Sequence, residues 1–392
     1  MYKRNLLLAN SGIVLRFTDP SPMRFTQFIL CGLLVLFAQR PVLTHAQILK
    51  TESGPWGEVE YYYTILEPPV SHFWPSLFDT ETIWFLPGRS RGEVIQLMRS
   101  SGFSDDVLSQ LLPDSYWQET PKGTRISPPL SVVGALSPAQ RKTFYEYMED
   151  VPDTTPWEKG FNLEGGDFRA LAGDSLPEEV IALVEQVSYH RGNTLSVTDV
   201  PWLLSHIPDE EMQIDLLRCL SRTRVTMARL ILHDDSDLEA LADWWTTGTQ
   251  NKSILPLLKD VQQTPYPHSI DLIHLLPATA RQYVYTYLNP EDSALGQQFD
   301  CFWTSVNFFR NEPTDRVLDS LPMNFYLQDD FTRVEDSTNF GDLVIMIDKD
   351  RNSFVHSWVE IVDDIVYTKN GNSILQPWVL MKKSDMLSRY SD

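Results

Sequence analysis

The chain has 392 residues but only three cysteines and eight histidines, and its 32 Lys and Arg are outnumbered by 53 Asp and Glu. A formal net charge of −21 leaves too few cations to neutralise phosphates, so nucleic acid and anionic membrane surfaces are not expected partners. No Cys-x-x-Cys pair, Gly-rich phosphate loop or Gly-x-Ser-x-Gly elbow occurs, and no metal or other cofactor is expected. Asp271 and His274 lie three apart without a second His or Cys nearby in sequence, too few ligands for zinc. The run from Asp348 to Asn352 begins like a calcium loop but has Ser353 at position six and Val359 at position twelve, where Gly and Glu are needed. Internal repeats are also lacking: Pro-Trp recurs at 55, 156, 201 and 377 with no common period.

Long apolar runs are scarce. The clearest is an eleven-residue stretch, 28–38, short of the roughly 18 to 20 residues a bilayer-spanning helix requires. Arg24 precedes it and Thr44-His45-Ala46 follows, the pattern of a secretory signal that starts at Met23 and ends before Gln47. Residues 1–46 are therefore read as an upstream extension and signal peptide. The mature protein is expected to be secreted or periplasmic and free of the membrane. Cys31 lies inside the apolar run without small residues before it, so it is not a lipoprotein cysteine.

A composition of 42% hydrophobic and 11% aromatic residues supports a folded chain, and roughly 345 mature residues imply two or three domains. The expected class is α+β, with a mixed segment at 47–155, an all-α domain at 156–290 and a distinct module at 291–392. Strands are expected at 58–66 and 83–86, and helices at 92–98, 105–112 and 138–148, with a Pro- and Gly-containing loop at 113–129. Pro, Asp and Gly clusters at 151–172 place the first boundary. Helices are then expected at 178–189, 200–205, 210–220, 224–232, 237–245, 254–261, 269–275 and 278–288.

The chemistry concentrates near the end of the chain. Gly296-Gln-Gln-Phe299-Asp300-Cys301 precedes an apolar stretch to Phe309 that reads as a buried helix beginning at the cysteine. Forty residues later come Gly341-Asp342-Leu343-Val344 and then His356 inside an apolar run. A thiol becomes a nucleophile when its pKa is lowered, commonly at a helix start beside an imidazole, so Cys301 is the candidate nucleophile and His356 the candidate base. A third group must orient the imidazole. Asn370 is the first choice and Thr368, on the following strand, the alternative; Asn370-Gly371 is equally a hairpin turn pair. Cys301 has two other readings: a disulfide with Cys219, or a core cysteine. Cys219, in the amphipathic stretch 212–220, reads as a small buried hydrophobe.

The order Gly-x-x-Phe-Asp-Cys, helix, Gly-Asp-Leu-Val, strand with His resembles the NlpC-type family of papain-like peptidoglycan hydrolases over residues 291–392. The resemblance implies a cysteine helix packed on a small antiparallel sheet, with His on the second strand and a polar orienting residue on the third. It also implies hydrolysis of amide or peptide bonds in peptidoglycan-like cell-wall peptide. Two positions depart from the pattern: Phe302-Trp303 replaces Ser-Gly after the cysteine, and Ser357-Trp358 follows the histidine. The competing expectation is a papain-like fold without catalysis, serving as an extracytoplasmic binding or scaffolding protein.

Overall fold

The computed structural model describes residues 47–73, 81–148, 160–164, 166–192, 194–246, 254–265, 268–294, 299–315, 331–332, 334, 339–348 and 353–390. The proposed signal segment and most of the 348–352 hairpin tip lie outside them. Residues from Ala46 to Asp392 form one compact unit. Among the described residues, helices are combined with four small antiparallel sheets, an α+β architecture.

The first sheet orders Leu49–Lys50, Glu58–Leu66, Thr223–Ile231 and Ser269–Asp271. Its two central strands pair over their full length, from Glu58 opposite Ile231 to Leu66 opposite Thr223. That pairing joins segments on either side of the boundary expected near 156. One apolar core also runs from Val59 and Trp84 through Trp202 and Leu217 to Trp303 and Trp378. The expected separation into independent segments is therefore not how this unit is built.

The all-α reading of 156–290 is corrected on the same grounds. The stretch 224–232, expected to be helical, belongs to the strand Thr223–Ile231, where Val225, Ala228 and Leu230 are buried and Arg224, Met227, Arg229 and Ile231 are less so. Met, Ala, Arg and Leu favour helix weakly, and a nine-residue partner strand overrides that preference. Phe161–Glu164, Thr194–Val197 and Ser188–Arg191 form a three-stranded sheet within the same region. The stretch 269–275 is a short strand followed by a 3-10 turn, and the 278–288 helix stops at Tyr283. The 113–129 loop holds the hairpin Trp117–Thr120 and Gly123–Ile126, which pairs with Trp84–Pro87. Helices at 178–187, 200–205, 210–220, 238–245 and 254–262 stand where the apolar periodicity places them.

The last sheet is a meander of Leu343–Asp348, Ser353–Val362, Ile365–Lys369 and Trp378–Lys382. Connections this short allow only antiparallel neighbours, as the sequence indicates. Asp363 takes a φ of 51° in the tight turn between the second and third strands. Both faces are covered. Val359, Ile361, Ile365, Tyr367, Trp378 and Leu380 enter the main core, whereas Trp358, Val366, Val379 and Met381 meet Val225 and Met386 in a second cluster.

Candidate functional site

The helix Cys301–Val306 packs against the second and third strands of the meander. Asp300 caps it: its carboxylate accepts from the Trp303 amide at 2.9 Å, satisfying one of the donors a helix start leaves free. Trp303 turns into the core, stacked on Phe299 at 4.1 Å, and Trp378 donates its indole N–H to Thr304 Oγ1 at 2.9 Å. The bulky residue two positions after the thiol is thus a core anchor. Phe302 stands beside Phe354, with ring centroids 5.8 Å apart.

Cys301 is the first residue of this helix and carries a free thiol, as does Cys219, so the disulfide alternative is corrected. Cys219 is buried in the core, as expected. Cys301, however, is only 4% exposed. Its sulfur meets the N–H and hydroxyl of Ser357, the residue next to His356, while burial and then the Asp300 carboxylate push the thiol up to about 11. In this form the thiol is protonated. Ser357 is itself held by Ser305, one helical turn beyond the cysteine, at 3.0 Å between hydroxyl oxygens.

His356 lies on the second strand and is 0% exposed. Burial, with Arg389 nearby, pushes the imidazole down to about 4, so it is neutral near pH 7. Its hydrogen bonds define which nitrogen carries the proton. Thr368 donates its hydroxyl to the Ser357 carbonyl at 3.0 Å, so the same oxygen accepts from His356 Nε2–H at 3.1 Å. Nδ1 is then the acceptor, and the Tyr390 hydroxyl donates to it at 2.8 Å. The Tyr390 ring also stacks on the imidazole, with centroids 4.5 Å apart and planes 26° apart.

Of the two orienting residues read from sequence, Thr368 is the one at the imidazole. Asn370 is buried nearby on the chain, but its Nδ2 donates to Met381 Sδ at 3.3 Å and its Oδ1 has no partner among the described residues. No hydrogen bond joins Cys301 to His356 among the described residues; Ser357 touches the first and adjoins the second. The structure therefore brings together Thr368 with His356 and Cys301 with Ser357.

Three nearby residues were not among the site residues read from the sequence. Lys369, on the third strand, is fully buried, donates to the carbonyls of Gly371 and Ser373 at 2.9 and 2.8 Å, and is brought down by burial to about 7. Asp300 and Cys301 act on its charge, which places it on the cysteine side of the sheet. Ser357 could have been suspected as the neighbour of the base. Tyr390, 34 residues from His356, could not. A cavity of about 530 Å³ lined by Lys142, Glu146, Asn162, Arg191, Ser388 and Arg389 reaches the two residues before Tyr390, and neither Cys301 nor His356 lines it.

Among the described residues no group of three His, Cys, Asp or Glu side chains is placed to hold a metal, and no helix is long and apolar enough to cross a membrane. No protein-family model, curated protein or solved structure matches the chain.

Proposed function

We propose that the chain is an extracytoplasmic cysteine hydrolase of amide bonds, with peptidoglycan-like peptide as its substrate class, held in a closed form. The observation that carries this reading is the Thr368–His356 pair. A proton on Nε2, fixed by Thr368, leaves the Nδ1 lone pair as the one available to take a proton from a thiol. Cys301 at the start of a helix on the same sheet, His356 on the second strand and a hydroxyl on the third strand together fit the arrangement the resemblance implies.

In the open form His356 Nδ1 takes the Cys301 proton as the sulfur attacks the amide carbonyl. The oxyanion is met by the Cys301 backbone N–H. The carbon–sulfur bond is made in that attack; the oxyanion then collapses, the C–N bond breaks as the imidazolium protonates the leaving amine, and water, giving a proton to the imidazole, hydrolyses the thioester to release the acid and regenerate the thiol. The test is digestion of isolated cell-wall peptides by the full chain, followed by mass spectrometry. Products that disappear in Cys301→Ala and His356→Ala, each shown by circular dichroism to remain folded at the assay temperature, support the reading; identical products from parent and Cys301→Ala refute it.

A second reading is favoured by the burial of both Cys301 and His356: a papain-like module without catalysis that serves binding or scaffolding. It requires no opening of the site and predicts no thiol-dependent turnover in any variant.

A further inference from the structure

We infer that Tyr390 is an autoinhibitory residue: with the helix before it, it forms a strap that closes the Cys301–His356 site and occupies the imidazole lone pair a thiol proton needs. This deepens the hydrolase reading and rests on it. The contact is doubly specific. The phenol donates to Nδ1 at 2.8 Å, and its ring lies over the imidazole at 4.5 Å, so one side chain takes both the basic atom and the adjoining space. Burial holds the phenol well above its ordinary range, which keeps it a donor.

The strap is the helix Lys383–Ser388 with Arg389 and Tyr390 behind it. Its apolar anchor is Met386, fully buried among Val225, Trp358, Val366 and Val379. Leu387 and Tyr390 pack on the same cluster, the Lys383 N–H donates to the Asp364 carbonyl at 2.6 Å and its ammonium meets the buried Glu360 at 2.8 Å; the ties of Arg224 to Asp385 at 2.9 Å and Arg389 to Gln376 at 3.1 Å are polar and partly exposed. Such ties are individually weak, so a segment held this way opens more readily than the sheet beneath it. The cavity lined by Ser388 and Arg389 adjoins the strap at the two residues before Tyr390.

The experiment is iodoacetamide alkylation of the full chain, read at Cys301 and Cys219 separately by peptide mass spectrometry. Tyr390→Ala is expected to accelerate Cys301 by ~10-fold or more without changing Cys219, because only the local cover has been removed. Asp385→Ala, which loosens the strap from Arg224 without touching the site, is expected to act in the same direction. If neither variant accelerates Cys301 selectively by more than about twofold, a factor within ordinary variation of surface access, the inference is overturned. Adding His356→Ala to Tyr390→Ala separates this inference from the hydrolase reading. Loss of the acceleration supports both. Acceleration that survives leaves Tyr390 as the cover but overturns His356 as the base, and with it the hydrolase.

Discussion

Replacing Thr368 with valine tests the imidazole's anchoring with little change in shape. The Thr368 hydroxyl is fully buried, accepts from His356 Nε2–H and donates to the Ser357 carbonyl. Valine fills nearly the same volume, so the cost is polar and not a cavity. The Ser357 carbonyl has a second lone pair, but the Nε2–H of a 0% exposed ring loses its one partner and cannot reach water. A buried donor left unpaired costs about 1–3 kcal/mol, and urea unfolding should show a loss near ~2 kcal/mol. The ring can relieve part of this by moving its proton to Nδ1 and donating to the Tyr390 oxygen. Nitrogen chemical shifts of His356 should therefore change from the Nε2–H tautomer toward Nδ1–H, and Thr368→Ser should restore both stability and tautomer. A loss below ~0.5 kcal/mol with the Nε2–H form retained would show that Thr368 does not hold the ring, and the role assigned to it would fall.

Three further outcomes follow from the same physics. Acidification from pH 7 to 5 should cost about 2 kcal/mol through His356, because its folded pKa of about 4 lies below the ordinary ~6.5: the unfolded chain takes the proton first, and stability present above 6.5 is lost as pH falls toward 4. A His356→Gln variant should lose less over that interval, and equal slopes for the two proteins would discount the imidazole's depression. Arg141 is fully buried, with Nε 2.6 Å from Asp199 and Nη2 2.5 Å from the Val133 carbonyl, while Tyr145 donates to the same carboxylate; Arg141→Met should cost about 3–5 kcal/mol by thermal or chemical unfolding, since the Asp199 charge is left in the core, and a cost under ~1 kcal/mol would contradict this. Gly341 has a φ of 90° and any Cβ there would overlap the Phe309 ring, so Gly341→Ala should cost about 2 kcal/mol or more, and an unchanged melting temperature would show that the turn relaxes freely.

Much of the terminal sheet was legible because its information is local. The β-branched and aromatic residues of 353–362, the two-residue turn at Asp363-Asp364 and the short connections leave few alternatives to an antiparallel meander. The start of the helix at Cys301 is equally local: Asp300 is a good cap, and the aromatic residues after it need a core. The helices at 178–187 and 238–245 announce themselves by apolar spacing in the same way.

Other features depend on partners distant in sequence. Thr223–Ile231 contains five helix-favouring residues against four β-branched ones, and it is a strand because Glu58–Leu66, more than 150 residues earlier, supplies the hydrogen bonds. The same pairing erases a boundary that Pro, Asp and Gly clusters suggested. At the site, residue types near Cys301 and His356 nominate a nucleophile and a base, but ionisation is a property of surroundings. Burial moves the thiol up to about 11 and the imidazole down to about 4, opposite to what an active pair needs. The choice of Thr368 over Asn370 is settled by which side chain meets Nε2, a matter of strand register and side-chain direction. Sequence thus determined which chemically capable groups the chain carries and the local elements that present them. Tertiary structure alone decided their exposure, their protonation and the arrival of Tyr390, because desolvation and hydrogen bonding are set by neighbours that chain order does not bring together.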